Sequence, residues 1–296
     1  MAGLGWEAWV IIVMVVILAI FLEIRAAANV SESAMLFRPI REYLAAPTIP
    51  HEEVTLKSGL TGWYFNNFPE APTILYCHGN AGNISYWDNM IGVIHSQKVN
   101  VFIFDYHGFG RTPGTPSVRQ CIEDGLEAYD FLAKRVHPET IVLWGESLGG
   151  SIALHIENQR KVGYVALAGT FSHPLEVVRE KQLSKIIEFL AKQKDDLDNV
   201  RMIRDVKVPV VIVHSEDDDI IPYACAVELY RNVSHSCKKL VPIKGTHSAP
   251  QMNSTQLAQI FNFCELPCES CEDASPHLSR ICHDKRQIFN LNQLSV

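Results

Sequence analysis

No run of lysine or arginine occurs anywhere in the 296 residues, and the formal net charge is −7. A polyanionic partner needs a basic patch, so nucleic-acid binding is not expected. No internal repeat is visible. Charged residues make up only 20% of the chain against 47% hydrophobic ones, the reverse of the balance that keeps a chain disordered. This length can bury one sizeable core and does not by itself require a second domain.

Paired C-x2-C units are also missing. Cys77, Cys121, Cys225 and Cys237 are scattered through apolar or helical segments, where small buried hydrophobes are expected. The other four, Cys264, Cys268, Cys271 and Cys282, fall in the last 33 residues with the spacing C-x3-C-x2-C-x10-C, followed by His283. Zinc sites and disulfide pairs can arise from such clusters, but one C-x2-C unit alone is half of the usual zinc arrangement. No metal and no organic cofactor is expected, and residues 266–296 are taken as a cysteine-containing tail.

One long hydrophobic run is present. Ala8 to Leu22 contains no charge, and Trp6 and Trp9 stand at its outer edge, where interfacial aromatics belong. With Trp6 it would extend about 25 Å as helix, near the lower limit for crossing a bilayer. Residues 6–25 are therefore expected to be an uncleaved single-pass anchor in an endomembrane or the plasma membrane, and 26–50 a linker. The rival is a cleaved signal peptide ending at Ala26–Ala28. Against it, no basic residue precedes the run, and Glu23 and Arg25 stand where a cleavage region is neutral. Orientation stays open. Arg25, Arg38 and Arg41 favour a cytosolic domain, whereas sequons at Asn29, Asn83, Asn232 and Asn253 suit a luminal one.

From Pro50 onward, short apolar runs alternate with helical patterns. Thr73–Cys77, Val99–Asp105, Thr140–Trp144, Val162–Ala168 and Val208–His214 are nearly continuous in hydrophobicity, as parallel strands covered on both faces are. Glu53–Leu56 and Gly62–Phe65 look like an antiparallel lead-in. Helical patterns lie near Tyr86–Ser96, Val118–Arg135, Leu148–Asn158 and Ala224–Arg231. The expectation is an α/β domain over 51–265 with a mostly parallel, doubly wound sheet. Residues 174–206 interrupt the rhythm with a charged helical stretch, either a small lid or a surface helix with one apolar face.

The strongest chemical signal is Gly145-Glu146-Ser147-Leu148-Gly149-Gly150, between a strand and a helical run. That context makes a sharp elbow that lifts a serine hydroxyl above the sheet edge, with glycines where strand and helix press together. A serine needs a base, and the base an orienting acid. The acid should follow a later strand, and Ser215-Glu216-Asp217-Asp218-Asp219 follows Val208–His214. Asp218 is the candidate, with Asp219 and Asp217 as substitutes. The base should follow the last strand, Lys239–Ile243, where His247 stands after Gly245. Backbone N–H groups of Asn80, in the loop His78–Asn83, and Leu148 are the expected oxyanion donors. His78 is read as shaping that loop, and Asp105 as structural.

The loop His78-Gly79-Asn80-Ala81-Gly82-Asn83, the turn Asp105-Tyr106-His107-Gly108-Phe109-Gly110 and the elbow, together with Asp218 and His247, resemble the membrane-anchored α/β-hydrolase-domain serine hydrolases. The resemblance covers roughly residues 35–265. It implies an α/β-hydrolase fold, a small helical lid and hydrolysis of esters or thioesters of lipids or acylated proteins. One departure is His107, where such proteins usually carry arginine. Acyl-lipid or acyl-protein substrates, a membrane and a monomeric state are the expected partners. A catalytically silent relative acting as a membrane-bound binding protein is the alternative, and a secreted esterase a further one.

Overall fold

The computed structural model describes residues 11–23, 36–174 and 195–261. Its centre is a nine-stranded sheet. In chain order the strands are β2 (Glu52–Thr55), β3 (Thr61–Phe65), β4 (Thr73–Cys77), β6 (Asn100–Asp105), β7 (Ile141–Glu146), β8 (Tyr164–Ala168), β9 (Val210–Ser215), β10 (Lys238–Thr246) and β11 (Ala249–Gln251). Two short strands, β1 (Arg38–Pro39) and β5 (Ala81–Gly82), pair separately with each other. The order across the sheet is β11-β10-β9-β8-β7-β4-β6-β3-β2. The six strands from β10 to β6 run parallel, while β2, β3 and β11 are antiparallel additions at the two edges.

The parallel strands are buried on both faces, which explains their unbroken apolar sequences. Side chains alternate between two cores. Leu75, Leu143, Val165 and Ile212 face one side. There they meet α2 (Val118–Leu132), α3 (Leu148–Glu157) and α5 (Tyr223–Asn232) through Ala128, Ile152 and Leu229. Ile74, Tyr76, Trp144 and Val213 face the other side, covered by α1 (Asp88–His95) and α6 (Ser254–Phe261) through Ile91 and Ile260. α2 begins where Ser117 caps it, its hydroxyl accepting from the Gln120 N–H at 3.1 Å.

The chain leaves β4 for β6 on one side, then crosses back to β7, β8 and β9 on the other. Strand ends at such a reversal leave a crevice. The loop after β4 and the elbow after β7 are thereby neighbours, with Cys77 in register with Gly145.

One expectation changes. The segment 26–50 is not a linker along its whole length, because the folded body begins by Leu36. Phe37 is buried against Phe109, with ring centroids 6.1 Å apart. The N–H groups of Arg38 and Ile40 donate to the carbonyls of Asn80 and Gly82. A large aromatic and a row of backbone groups are better covered and paired here than left in water. The expected anchor is described only in part. Residues 11–23 are helical with exposed side chains, and among the described residues no helix is long and apolar enough to cross a membrane. The rest of the expected span lies outside the described residues, as do residues 175–194 of the expected lid and the tail with Cys264, Cys268, Cys271, Cys282 and His283. The described end of the lid region packs on the body: α4 (Asn199–Ile203) buries Val200 and Ile203, and the Asn199 amide donates to the Phe171 carbonyl at 2.8 Å.

Candidate active site

The elbow is tight because nothing larger than glycine fits around it. A Cβ on Gly149 would lie 1.9 Å from the Cys77 carbonyl oxygen, and one on Gly145 2.5 Å from the Gly149 oxygen. Ser147 between them is held at φ 53°, ψ −116°. A non-glycine residue in that region costs about 1–3 kcal/mol, which the surrounding packing must offset. The Ser147 N–H donates to the Ala168 carbonyl at 2.9 Å, so β8 fixes the strained turn.

The imidazole of His247 reaches both neighbours expected of it. Its Nε2 lies 3.1 Å from Ser147 Oγ and its Nδ1 2.7 Å from Asp218 Oδ2. A carboxylate on Nδ1 keeps the proton there and leaves Nε2 to accept from the serine hydroxyl. The Asp218 side chain is buried, and burial alone would raise its pKa. Hydrogen bonds from His247 and from the N–H groups of Ile221 and Ile220 outweigh that, so its carboxyl sits below the usual carboxylate range.

The other acids of that turn do different work. Asp219 accepts the His247 backbone N–H at 2.9 Å, which holds the histidine loop from outside the ring. Glu216 and Asp217 face solvent beside Lys244.

Leu148 follows the serine directly, and Asn80 follows Gly79 in the loop that approaches it. Leu148 opens α3, so its N–H has no carbonyl acceptor within the helix, and the positive end of the helix dipole points the same way. The β4 loop comes close enough that a Cβ on Gly79 would sit 3.5 Å from Ser147 Cβ. The Asn80 carbonyl accepts from Arg38 at 2.7 Å, and its side-chain amide donates to the Leu36 carbonyl. The segment at 36–44 therefore clamps the loop that carries Asn80. Asn83 is buried, its amide donating to the carbonyls of Ile40 and Glu42. That leaves its nitrogen no room for a glycan.

His78 is buried among Trp87, Tyr106 and Phe109, with Nδ1 2.7 Å from the Gly79 carbonyl. Burial pulls its pKa down to about 4, so it is neutral at physiological pH. Asp105 accepts from Tyr43 and from the Ile84 N–H, and burial pushes its pKa up to about 6. His107 sits beside Asp124, Nδ1 to Oδ1 2.6 Å, with its backbone N–H on the other carboxylate oxygen.

Sequence reasoning passed over Glu146. Its carboxyl is enclosed beside the serine and accepts from the Tyr76 hydroxyl and from the Trp87 indole, the latter at 2.8 Å. Burial raises its pKa, and the two donors offset that only in part. The strand period of two could have located it, because Trp144 and Glu146 share a face of β7 and Trp144 is in register with Tyr76. His214 was also missed. Its Nε2 lies 3.5 Å from Asp218 Oδ2, and burial lowers its pKa so that it stays neutral beside the acid. No sequence signal marks it. A cavity of about 30 Å³ opens next to these groups, lined by Glu146, His247 and Asp218 and by apolar Trp144, Ile243 and Met252.

The arrangement can deprotonate a serine hydroxyl and hold the resulting imidazolium against a carboxylate, beside the N–H groups that open α3. Among the described residues no cluster of His, Cys, Asp and Glu is arranged to hold a metal ion.

Known proteins give this geometry a context. A family model described as serine aminopeptidase, S33, matches residues 69–197. The uncharacterized protein YfhR of Escherichia coli O157:H7 is 30% identical over 204 residues, 64% of this chain and 70% of that protein. The lysophosphatidylserine lipase ABHD12 of Danio rerio is 28% identical over 187 residues, 57% of this chain and 49% of its own length. Among solved structures, the Pyrococcus furiosus esterase Pf2001 superimposes with a TM-score of 0.58 at 16% sequence identity, over 84% of this chain and 98% of that one. At that identity the likeness speaks for the fold.

Proposed function

Since the chain belongs to the α/β-hydrolase family, we propose that it is a membrane-anchored serine hydrolase cleaving carboxylic esters or thioesters of lipids or acylated proteins. The observation that carries the reading is the unbroken line from Asp218 Oδ2 through His247 to Ser147 Oγ, with contacts of 2.7 and 3.1 Å. In this reading the Ser147 hydroxyl passes its proton to His247 Nε2 as its oxygen attacks the acyl carbonyl. The N–H groups of Asn80 and Leu148 receive the oxyanion. The imidazolium then protonates the leaving alcohol or thiol. Water, deprotonated by the same ring, releases the acid from the acyl-enzyme. Asp218 stabilises the imidazolium and fixes its tautomer.

Support for anchoring comes from the uncharged run Ala8–Leu22 and its flanking tryptophans. Support for an acyl substrate comes from the apolar wall of Trp144, Ile243 and Met252 beside the base. The test is labelling of the full chain in membranes by a fluorophosphonate probe, together with turnover of a p-nitrophenyl ester. Ser147→Ala is expected to abolish both. Retained labelling would remove Ser147 as the nucleophile, and faster cleavage of an aminoacyl anilide than of the ester would move the reading to a peptidase.

A further inference from the structure

Glu146 precedes the nucleophile and takes no part in the proton transfers between Ser147 and His247. Residues two apart on a strand share a face, so Glu146 points with Trp144 toward the α1 side of the sheet. There one of its oxygens, Oε2, accepts from both the Tyr76 hydroxyl and the Trp87 indole N–H, the latter at 2.8 Å. Burial pushes the carboxyl pKa up, and these two donors pull it back. A carboxylate withdrawn from water needs such replacements, and hydrogen bonds to a charged acceptor are the stronger kind. The Trp87 ring is thereby fixed at its N–H.

From Trp87 the contacts lead to the loop of Asn80. The indole packs on the His78 ring, with centroids 4.8 Å apart and planes inclined at 36°. It also reaches Gly79: a Cβ there would lie 3.6 Å from Trp87 Cζ2 and 3.5 Å from Ser147 Cβ. Gly79 thus faces both the indole and the serine. His78 Nδ1 stands 2.7 Å from the Gly79 carbonyl. A carbonyl only accepts, so Nδ1 carries the proton and donates it. That carbonyl belongs to the same planar peptide unit as the Asn80 N–H, and in a trans unit the two point opposite ways. Fixing the His78 ring therefore fixes the direction of the Asn80 N–H. Tyr106 and Phe109 complete the cage around the imidazole, and the Glu146 bond ties its Trp87 wall to the elbow.

We propose that Glu146 is a positioning residue: through Trp87 it holds the Gly79–Asn80 peptide at the angle from which the Asn80 N–H meets the tetrahedral oxyanion. This rests on the serine-hydrolase reading above and adds to it the side chain that orients the Asn80 donor. Glu146 and Ser147 are neighbours in the chain, so one elbow sets the nucleophile and, by way of the indole, the donor loop. Such alignment matters because misplacing a catalytic group by about 1 Å costs about 10²-fold in rate.

The test uses the full chain and measures kcat and KM for a p-nitrophenyl ester. It adds the affinity for a trifluoromethyl ketone, whose adduct with Ser147 is itself a tetrahedral oxyanion. Trp87→Phe keeps a ring on His78 and removes the N–H. It is expected to lower kcat about tenfold, with KM within about twofold and ketone affinity falling in step. Glu146→Leu should lose at least as much, and the double variant no more than Glu146→Leu, because both break one link. Glu146→Gln keeps the acceptor and should regain most of the lost kcat. Multiplied losses in the double variant would overturn the proposal by separating Glu146 from Trp87. So would equal losses in Glu146→Gln and Glu146→Leu; a shifted acid limb of kcat/KM would then place the effect of the charge on His247, across the cavity they share. A lower unfolding temperature with kcat unchanged would reduce the contact to packing and overturn the proposal as well. Should Glu146→Leu fail to fold, the split between kcat and KM in Trp87→Phe decides. Wild-type turnover and its loss in Ser147→Ala test the hydrolase reading, whereas the ratios among these variants test Glu146 alone.

Discussion

The elbow and the acidic turn both serve the same imidazole, yet they are determined in opposite ways. Around Ser147 each neighbour is dictated by contact. Gly145 and Gly149 face backbone atoms closer than any side chain tolerates, and the serine accepts a strained φ of 53° in between. The Ser215–Pro222 turn has no such crowding and offers four consecutive carboxylates, of which one reaches the ring. Sterics leave the elbow a single solution, whereas in the turn the winner is the acid with donors around it. Asp218 receives His247, Ile220 and Ile221, Asp219 receives only a backbone N–H, and Glu216 and Asp217 receive Lys244 in solvent.

The largest way to break this contrast is at Gly149. Its Cβ would meet the Cys77 carbonyl oxygen at 1.9 Å, and neither backbone segment can give way without moving β4 or α3. Gly149→Ala is expected to cost about 3 kcal/mol or more of stability and to remove probe labelling, measured by thermal unfolding and fluorophosphonate reactivity. A folded, fully reactive variant would show that the elbow is looser than its contacts state.

The next effect lies in the turn. Asp218→Asn should lower kcat by about 10⁴-fold with the fold intact, because the ring loses both its tautomer and its counter-charge. Asp217→Asn should leave kcat within about twofold, since an exposed ion pair contributes little. Equal losses in the two variants would mean that the turn works as a charged patch and not through one residue.

The smallest effect separates two buried carboxylates. The side chains of Asp105 and Asp218 are both withdrawn from water, but only Asp218 faces an imidazole at hydrogen-bonding distance. Their pKa values move apart, Asp218 downward and Asp105 up to about 6. The signs follow from linkage. Asp105, raised when folded, contributes stability that is complete below its ordinary value near 3.8 and is lost as pH rises through about 6. Asp218, lowered when folded, contributes stability above that ordinary value and loses it as pH falls. Urea unfolding from pH 3 to 8 should therefore show a decline between roughly pH 4 and 6 that Asp105→Asn lessens and Asp218→Asn leaves in place. An unchanged slope in the Asp105 variant would assign the decline to other groups.

Much of the architecture was legible because it is local. Continuous apolar runs such as Val99–Asp105 and Val208–His214 correspond to β6 and β9 within two residues. The helix start at Ser117 is fixed by its own hydroxyl. The elbow was legible because a strand, two glycines and a helix in sequence leave few other geometries. The segment 26–50 was not, because Phe37 and the strand Arg38–Pro39 acquire their places only from Phe109, Asn80 and Gly82, more than forty residues away. Glu146 was overlooked for a similar reason, since its donors Tyr76 and Trp87 come from β4 and the segment before α1.

By itself the sequence determined a doubly wound parallel sheet, the position of the strained serine and the loops from which acid and base come, because periodicity and steric exclusion act within a few residues. Only the tertiary structure decided which of four adjacent carboxylates meets the imidazole, and that a supposed linker clamps the Asn80 loop. Those outcomes depend on burial and hydrogen bonding between distant segments, which no local pattern encodes.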